Sequence, residues 1–198
     1  VTSHLLDLAD SLGHDHLILC LLSGGASAML AAPVPPLTLE ELRDTNAALI
    51  VGGLEIDDIN AVRKQLSAVK GGLLAKRISP ARTHLLVISD VVGDRLDSIG
   101  SGPLSPNRTG LDEALNAIQT LSPEARRRLP KKVLDHLHRR AHPTPEDTEQ
   151  KDDAHFSLVS SAIIASRLDA TSAAAQLASS LGWDAQLITN SLTGAAHK

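Results

Sequence analysis

The chain is almost without aromatic side chains, with one Trp, one Phe and no Tyr among 198 residues. That excludes the stacked-base groove of a single-stranded nucleic-acid binder. A net charge of −4 likewise gives no basic field for a polyanion, so nucleic acid is not an expected partner. Cysteine is nearly absent too. The lone Cys20, inside the apolar run LILCLL, cannot close an intrachain disulfide and reads as a small hydrophobe in a reducing compartment. No apolar run approaches the roughly 18 residues that cross a bilayer, and the opening VTSHLLDLADSLGHDH lacks the charged and apolar regions of a secretory leader. The expectation is therefore a cytoplasmic protein with no membrane partner. Because the chain opens on Val and stops at TGAAHK, it is also expected to be a piece of something longer.

What is present is ordinary for a folded domain: 42% hydrophobic and 21% charged residues, with a core that has to be made from Leu, Ile, Val and Ala. Residues 4–12 read as a helix closed by Gly13. HLILCLL, residues 16–22, has the length and continuity of a central strand covered on both faces. Thr38 and Glu41 form a capping box ahead of a helix ending at Gly52 and Gly53. EIDDINAVRKQLSAVKGGLLAKRI reads as the next helix, interrupted at Gly71 and Gly72, and THLLVIS as a second buried strand. Helices are expected over 111–120 and 123–140, and HPTPEDTEQKDD as an exposed connector. FSLVS reads as a short strand, AIIASRLDATSAAAQLASSLG as a long helix and DAQLIT as a last strand. Buried strands alternating with helices predict a layered, Rossmann-like α/β domain with a mainly parallel sheet flanked by helices. Ligands of such folds collect outside the carboxyl ends of the strands, where the loops after Leu22 and Ser89 lie.

Three segments carry chemistry. In LLSGGASAML the glycines Gly24 and Gly25 allow close approach of the backbone, and Ser23 and Ser27 add hydroxyls. If SAML starts a helix, the loop is a cradle for an anion; otherwise it is a strand-to-helix turn. On a helical wheel Asn60, Arg63, Ser67 and Lys70 fall within about a quarter of the circumference. Such a strip suits a carboxylate or phosphate, or is simply a solvated face. The loop SDVVGDRLDSIGSGP carries Asp90, Asp94 and Asp97. Asp90, at a strand end, is placed to hold Mg²⁺ or act as a base, unless the loop is only a solvated turn. The nine histidines have no zinc-site spacing.

In order and spacing, LLSGGASAMLAAP, EIDDINAVRKQLSAVKGGLLA and LLVISDVVGDRLDSIGSGPLSPN resemble the signature blocks of the bacterial-type glycerate 2-kinases. That family pairs this domain with a so-called MOFRL domain and was long described as hydroxypyruvate reductase. The resemblance implies ATP- and Mg²⁺-dependent phosphorylation of D-glycerate at its 2-hydroxyl, in a cleft between two domains. Ser23, Gly24, Gly25 and Ser27 match the family's SGGGSA block. Asn60, Arg63, Ser67, Lys70, Gly71 and Gly72 match its N-x-x-R-x-x-x-S-x-x-K-G-G block. Asp90 and Asp94 match S-D-V-x-G-D, with Ser101, Gly102 and Pro103 in the S-G-P that follows. The resemblance thus gives Arg63, Lys70 and Asp90 catalytic roles, Asp90 and Asp94 the metal, and Ser23, Gly24, Gly25, Ser27, Asn60, Ser67, Gly71, Ser101 and Gly102 the substrate or its phosphate.

Residues 1–198 correspond to a partial N-terminal-type kinase domain. The family's Gly-Lys-Ala lysine lies before Val1 and its MOFRL domain after Lys198, so the 198 residues alone are expected to be inactive or nearly so. Four departures stand out: Ala26 for the third glycine, Asn107 for an aspartate, Ala195 in LTGAAH for a glutamate, and no Ser-Asn pair ahead of the last helix. Two other readings are an NAD(P)-dependent hydroxypyruvate reductase, against which stands the lack of a G-x-G-x-x-G fingerprint, and a non-catalytic relative that binds a small anion or forms a homodimer.

Overall fold

The computed structural model describes residues 2–142 and 153–187. Three parallel strands, β1 (Leu17–Leu22), β2 (Arg82–Ser89) and β3 (Val159–Ser166), form one sheet in the order β1-β2-β3. Helix α1 (Thr2–Asp10) precedes β1. The crossover from β1 to β2 carries α2 (Ala26–Met29), α3 (Leu39–Val51), α4 (Ile56–Gln65) and α5 (Leu73–Ile78). The crossover to β3 carries α6 (Leu111–Thr120), α7 (Pro123–Arg127) and α8 (Lys131–Ala141), and α9 (Arg167–Ser180) follows. This is the expected parallel α/β architecture.

The predicted capping box at Thr38 is formed: its hydroxyl accepts from the Glu41 amide, and the Glu41 carboxylate accepts from the Thr38 amide. Two other boundaries moved. The helix expected over 123–140 is split at Pro130, which has no N–H to donate and stands at the N-cap of α8. The short strand expected at FSLVS is instead β3, from Val159 to Ser166. Ser166 ends it by capping α9, its hydroxyl accepting from the Asp169 amide. Residues 184–187 carry no strand. The rest of that expected strand and residues 143–152 of the expected connector HPTPEDTEQKDD lie outside the described residues.

Apolar side chains gather in two clusters. One joins α3, α4 and α6–α8 around Leu49, Val62, Leu66, Val133 and Leu137; the other packs α1, α5 and the β2 loop on one face of the sheet, around Val69, Leu85, Val87 and Ile99. Segment 59–70 feeds both, which puts its polar residues at the seam. The expectation that β1 is covered on both faces fails. Leu17, Leu19 and Leu21 are 67%, 63% and 71% exposed, because no helix among the described residues lies over that face.

Candidate functional site

In the sheet Leu22 pairs with Val87. The chain therefore leaves β1 into Ser23–Gly25 right beside the point where it leaves β2 into Ser89 and Asp90. Facing them is α4. Between these elements lies a cleft of about 430 Å³ whose lining includes Ser23, Gly24, Gly25, Ser27, Asn60, Arg63 and Asp90. Seven of the expected site residues thus converge at the carboxyl edge of the sheet.

The fit between the two loops is close. A Cβ on Gly24 would stand 2.8 Å from Asp90 Oδ2, so any other residue here would push the carboxylate from its present seat. Gly25 has φ +83°, in the left-handed region. Ala26, which replaces the family's third glycine, has no such requirement: it is the first residue of α2 and packs against Gly100. The helix after the glycines is only four residues long, so any anion would be held by loop amides rather than by a developed helix dipole. Among the described residues the Gly24 and Gly25 amides meet no acceptor.

Arg63 is half-buried. Its Nε donates to Asn46 Oδ1 at 2.7 Å, and among the described residues its terminal nitrogens have no partner. Asp90 is exposed and forms no ion pair among the described residues. These are the two charged groups at the cleft left free to act on a ligand.

The remaining expected residues are placed differently, because α4 stops at Gln65 rather than running on to Gly71. Val34 takes the amide bond to Leu66 O, Ser67 bridges to Pro33, and the wheel that aligned Ser67 and Lys70 with Asn60 and Arg63 no longer applies. Ser67, 1% exposed, accepts from the Val69 and Lys70 amides and is turned into the structure. Lys70, 4% exposed, donates from Nζ to the Ser27 carbonyl at 2.6 Å, behind the loop. Burial, assisted by the neighbouring Arg63 charge, pulls its ammonium down to about 8. The Ser101 hydroxyl meets Ser27 Oγ at 2.7 Å and Asn60 Oδ1 at 3.3 Å, and the Gly71 amide donates to the Ser101 carbonyl. Gly102, with φ +62°, is pressed against the Asp97 backbone, 2.8 Å from where a Cβ would lie. Ser67, Lys70, Gly71, Ser101 and Gly102 therefore build the wall behind the cleft and are not among its lining residues. Asp94 lines a separate depression of about 570 Å³, away from Asp90.

Arg95, Asp57 and Ser98, to which the sequence motifs give no role, also line the cleft. Arg95 spans Asp57 and the nearly buried Asp97. Burial raises the Asp97 carboxyl, but the Arg95 guanidinium outweighs it and holds the group below its ordinary value. The signal was the arginine between the aspartates of DRLD, which only the fold turns toward α4.

A family profile described as "Domain of unknown function (DUF4147)" matches residues 1–138. The chain belongs to the DUF4147 family. This DUF4147 chain is similar to the D-glycerate 2-kinase of Thermotoga maritima, at 36% identity over 191 residues, 96% of this chain and 42% of that protein. It is similar in structure to the crystal structure of glycerate kinase from Thermotoga maritima, with TM-score 0.68 at 34% identity over 96% of this chain and 42% of that one. A protein from Pyrococcus horikoshii gives TM-score 0.71 at 32% identity over 91% and 40%. The chain spans less than half the length of these relatives. The resemblance drawn from the three sequence blocks and the α/β fold both hold. Of the departures, Asn107 accepts from the amide and hydroxyl of Thr109, a task an aspartate would do equally well. Ser166 supplies the cap ahead of α9, and Ala195 lies outside the described residues.

Proposed function

We propose that the DUF4147 chain supplies one wall of a D-glycerate 2-kinase, which transfers the γ-phosphoryl group of ATP to the 2-hydroxyl of D-glycerate. The observation that carries this is the close seating of Asp90 against the Gly24 backbone, with Arg63 across the same cleft. In the reaction the 2-hydroxyl oxygen forms a bond to the γ-phosphorus, the bond from that phosphorus to the β–γ bridging oxygen breaks, ADP leaves, and the hydroxyl proton passes to solvent. Such a transfer is catalysed mainly by positioning and by neutralising oxyanion charge. Arg63 would clamp a carboxylate or phosphate through its terminal nitrogens, and the loop amides would take phosphate oxygens.

Asp90 suits Mg²⁺, which takes one or two carboxylates and completes its shell with phosphate oxygens and water. Among the described residues no three His, Cys, Asp or Glu side chains cluster to form an all-protein site, so the ion would rely on the nucleotide for its other ligands. When bound it would neutralise phosphate charge. Asp94, in its separate depression, does not join Asp90 in this reading.

The opposite wall, with the Gly-Lys-Ala lysine and the MOFRL domain, is assigned to sequence outside this chain, so the 198 residues alone should turn over little or nothing. Cys20 is half-buried and burial pushes its thiol up, as suits a small apolar side chain. Among the described residues no helix is long and apolar enough to cross a membrane. The full-length protein should convert D-glycerate and ATP to 2-phosphoglycerate, read by phosphorus NMR. It should leave hydroxypyruvate and NADH untouched, and the Asp90→Asn form should lose the kinase activity. Near-normal turnover in Asp90→Asn would sink the assignment.

A further inference from the structure

We propose that Lys70 is a positioning residue of the glycine loop, holding Ser27 from behind so that Gly24 stays seated against Asp90. The need for such a strut is visible in α2. A single helical turn is not stable by itself in water, and none of the four residues of α2 is buried. Beside a long bond from the Thr2 hydroxyl to the Met29 carbonyl, what holds it in place comes from behind the loop. The Lys70 ammonium donates to the Ser27 carbonyl, and the Ser101 hydroxyl takes the Ser27 hydroxyl. The same Ser101 carbonyl receives the Gly71 amide, one residue after Lys70, which closes a ring of contacts through Lys70, Ser27, Ser101 and Gly71.

Lys70 is itself fixed at its backbone, where its amide and that of Val69 donate to the buried Ser67 hydroxyl. A charge-assisted bond to a carbonyl in a buried setting is shorter and stronger than a neutral one, and this one is the shortest contact in the ring at 2.6 Å. Arg63 lines the cleft and Lys70 does not, so the two cations have different tasks: Arg63 touches the ligand, and Lys70 acts through Ser27.

The test has two arms, both on the full-length protein. In the first, hydrogen exchange is compared between the parent and Lys70→Met, which keeps the length and removes the donor. The amides of Ala28, Met29 and Leu30, which close α2 onto Gly25 and Ala26, should exchange at least tenfold faster while β2 and α6 are unchanged. Unchanged exchange at these amides would overturn the proposal. Should Lys70→Met fail to fold, Lys70→Gln, with a donor on a shorter arm, is read in the same way: about threefold faster exchange confined to α2 supports the strut, and none overturns it.

The second arm rests on the glycerate kinase reading. Lys70→Met should raise KM about tenfold and lower kcat less than fivefold. A thousandfold loss of kcat at unchanged KM would overturn the proposal by placing the ammonium on the transferring phosphoryl group. If the parent protein does not phosphorylate glycerate, that reading fails, and the exchange arm still decides whether Lys70 holds the loop.

Discussion

The front and the back of the Ser23–Ser27 loop are built from similar polar residues used in opposite ways. At the front, Asp90 is exposed and makes no ion pair, and Arg63 keeps its terminal nitrogens unpartnered, among the described residues. At the back, Ser67, Lys70 and Ser101 are 1%, 4% and 0% exposed, and each is bonded to backbone or to another member of the group. The difference is one of physical cost. A polar group left without a partner is tolerable where water or a ligand can reach it, whereas a buried one must be satisfied within the structure. Residues of one signature block are thereby divided between lining the cleft and holding the loop behind it. Front substitutions should cost activity, and back substitutions should cost stability or loop order.

The largest effect is expected at the front. Asp90→Asn keeps the shape of the side chain and removes its charge, so kcat should fall by about 10³, equivalent to ~4 kcal/mol in the transition state. The melting temperature should move by no more than about 2 °C, as is usual for an exposed side chain without a partner. A large loss of stability would mean that Asp90 belongs to the framework.

Next comes Lys70, through pH. Its ammonium titrates near 8 in the folded chain against an ordinary value of 10.5. Below about 8 both folded and unfolded chains bind the proton, and the penalty for burying the charge is constant. Between 8 and 10.5 the unfolded chain binds more protons, so the contribution of Lys70 to stability rises with pH, by about 3 kcal/mol across the window. Lys64, also lowered by burial, acts in the same direction. Cys20, raised by burial, acts in the opposite one, since its unfolded thiol ionises first. Urea unfolding of the parent and Lys70→Met at pH 7.5 and 10.5, both in a Cys20→Ala background, isolates the Lys70 share. Equal pH dependence in the two would show that this lysine is not buried as a cation.

How much of this was legible beforehand depended on the range of the interaction that fixes each feature. The Thr38 capping box was readable because all its partners lie within four residues. The convergence of the SGG loop, Asn60, Arg63 and Asp90 was readable as motif order combined with the rule that ligands sit at the carboxyl edge of parallel strands. The end of α4 was not. Nothing local in QLSAVK stops a helix; the bridge from Ser67 to Pro33, more than thirty residues back, does so. The start of β3 was hidden for a related reason. AIIAS suits helix or strand, and its pairing with β2 decides, which also accounts for the misplaced FSLVS strand. The bare face of β1 was invisible because Leu17, Leu19 and Leu21 alternate with Ile18, Cys20 and Leu22, which is apolar on both sides.

At the back of the loop, Ser67→Ala should destabilise by about 2 kcal/mol, because two buried amides lose their acceptor and water cannot replace it. The urea midpoint would report it. An unchanged midpoint would show that these amides find another acceptor and that Ser67 is not a member of the framework.

The smallest effect falls where front and back meet. Gly24 is exposed, so Gly24→Ala should change stability by less than about 0.5 kcal/mol. Its new methyl group would nevertheless arrive 2.8 Å from Asp90 Oδ2, and the carboxylate would have to swing away to regain ordinary contact. A shift of that kind should lower kcat/KM about tenfold, or ~1.4 kcal/mol. The sharper form of the comparison uses the double variant. In Gly24→Ala with Asp90→Asn the methyl group displaces a side chain that has already lost its function, so the two losses should not add. Full additivity would mean that Gly24 acts on the ligand through its own backbone, independently of Asp90.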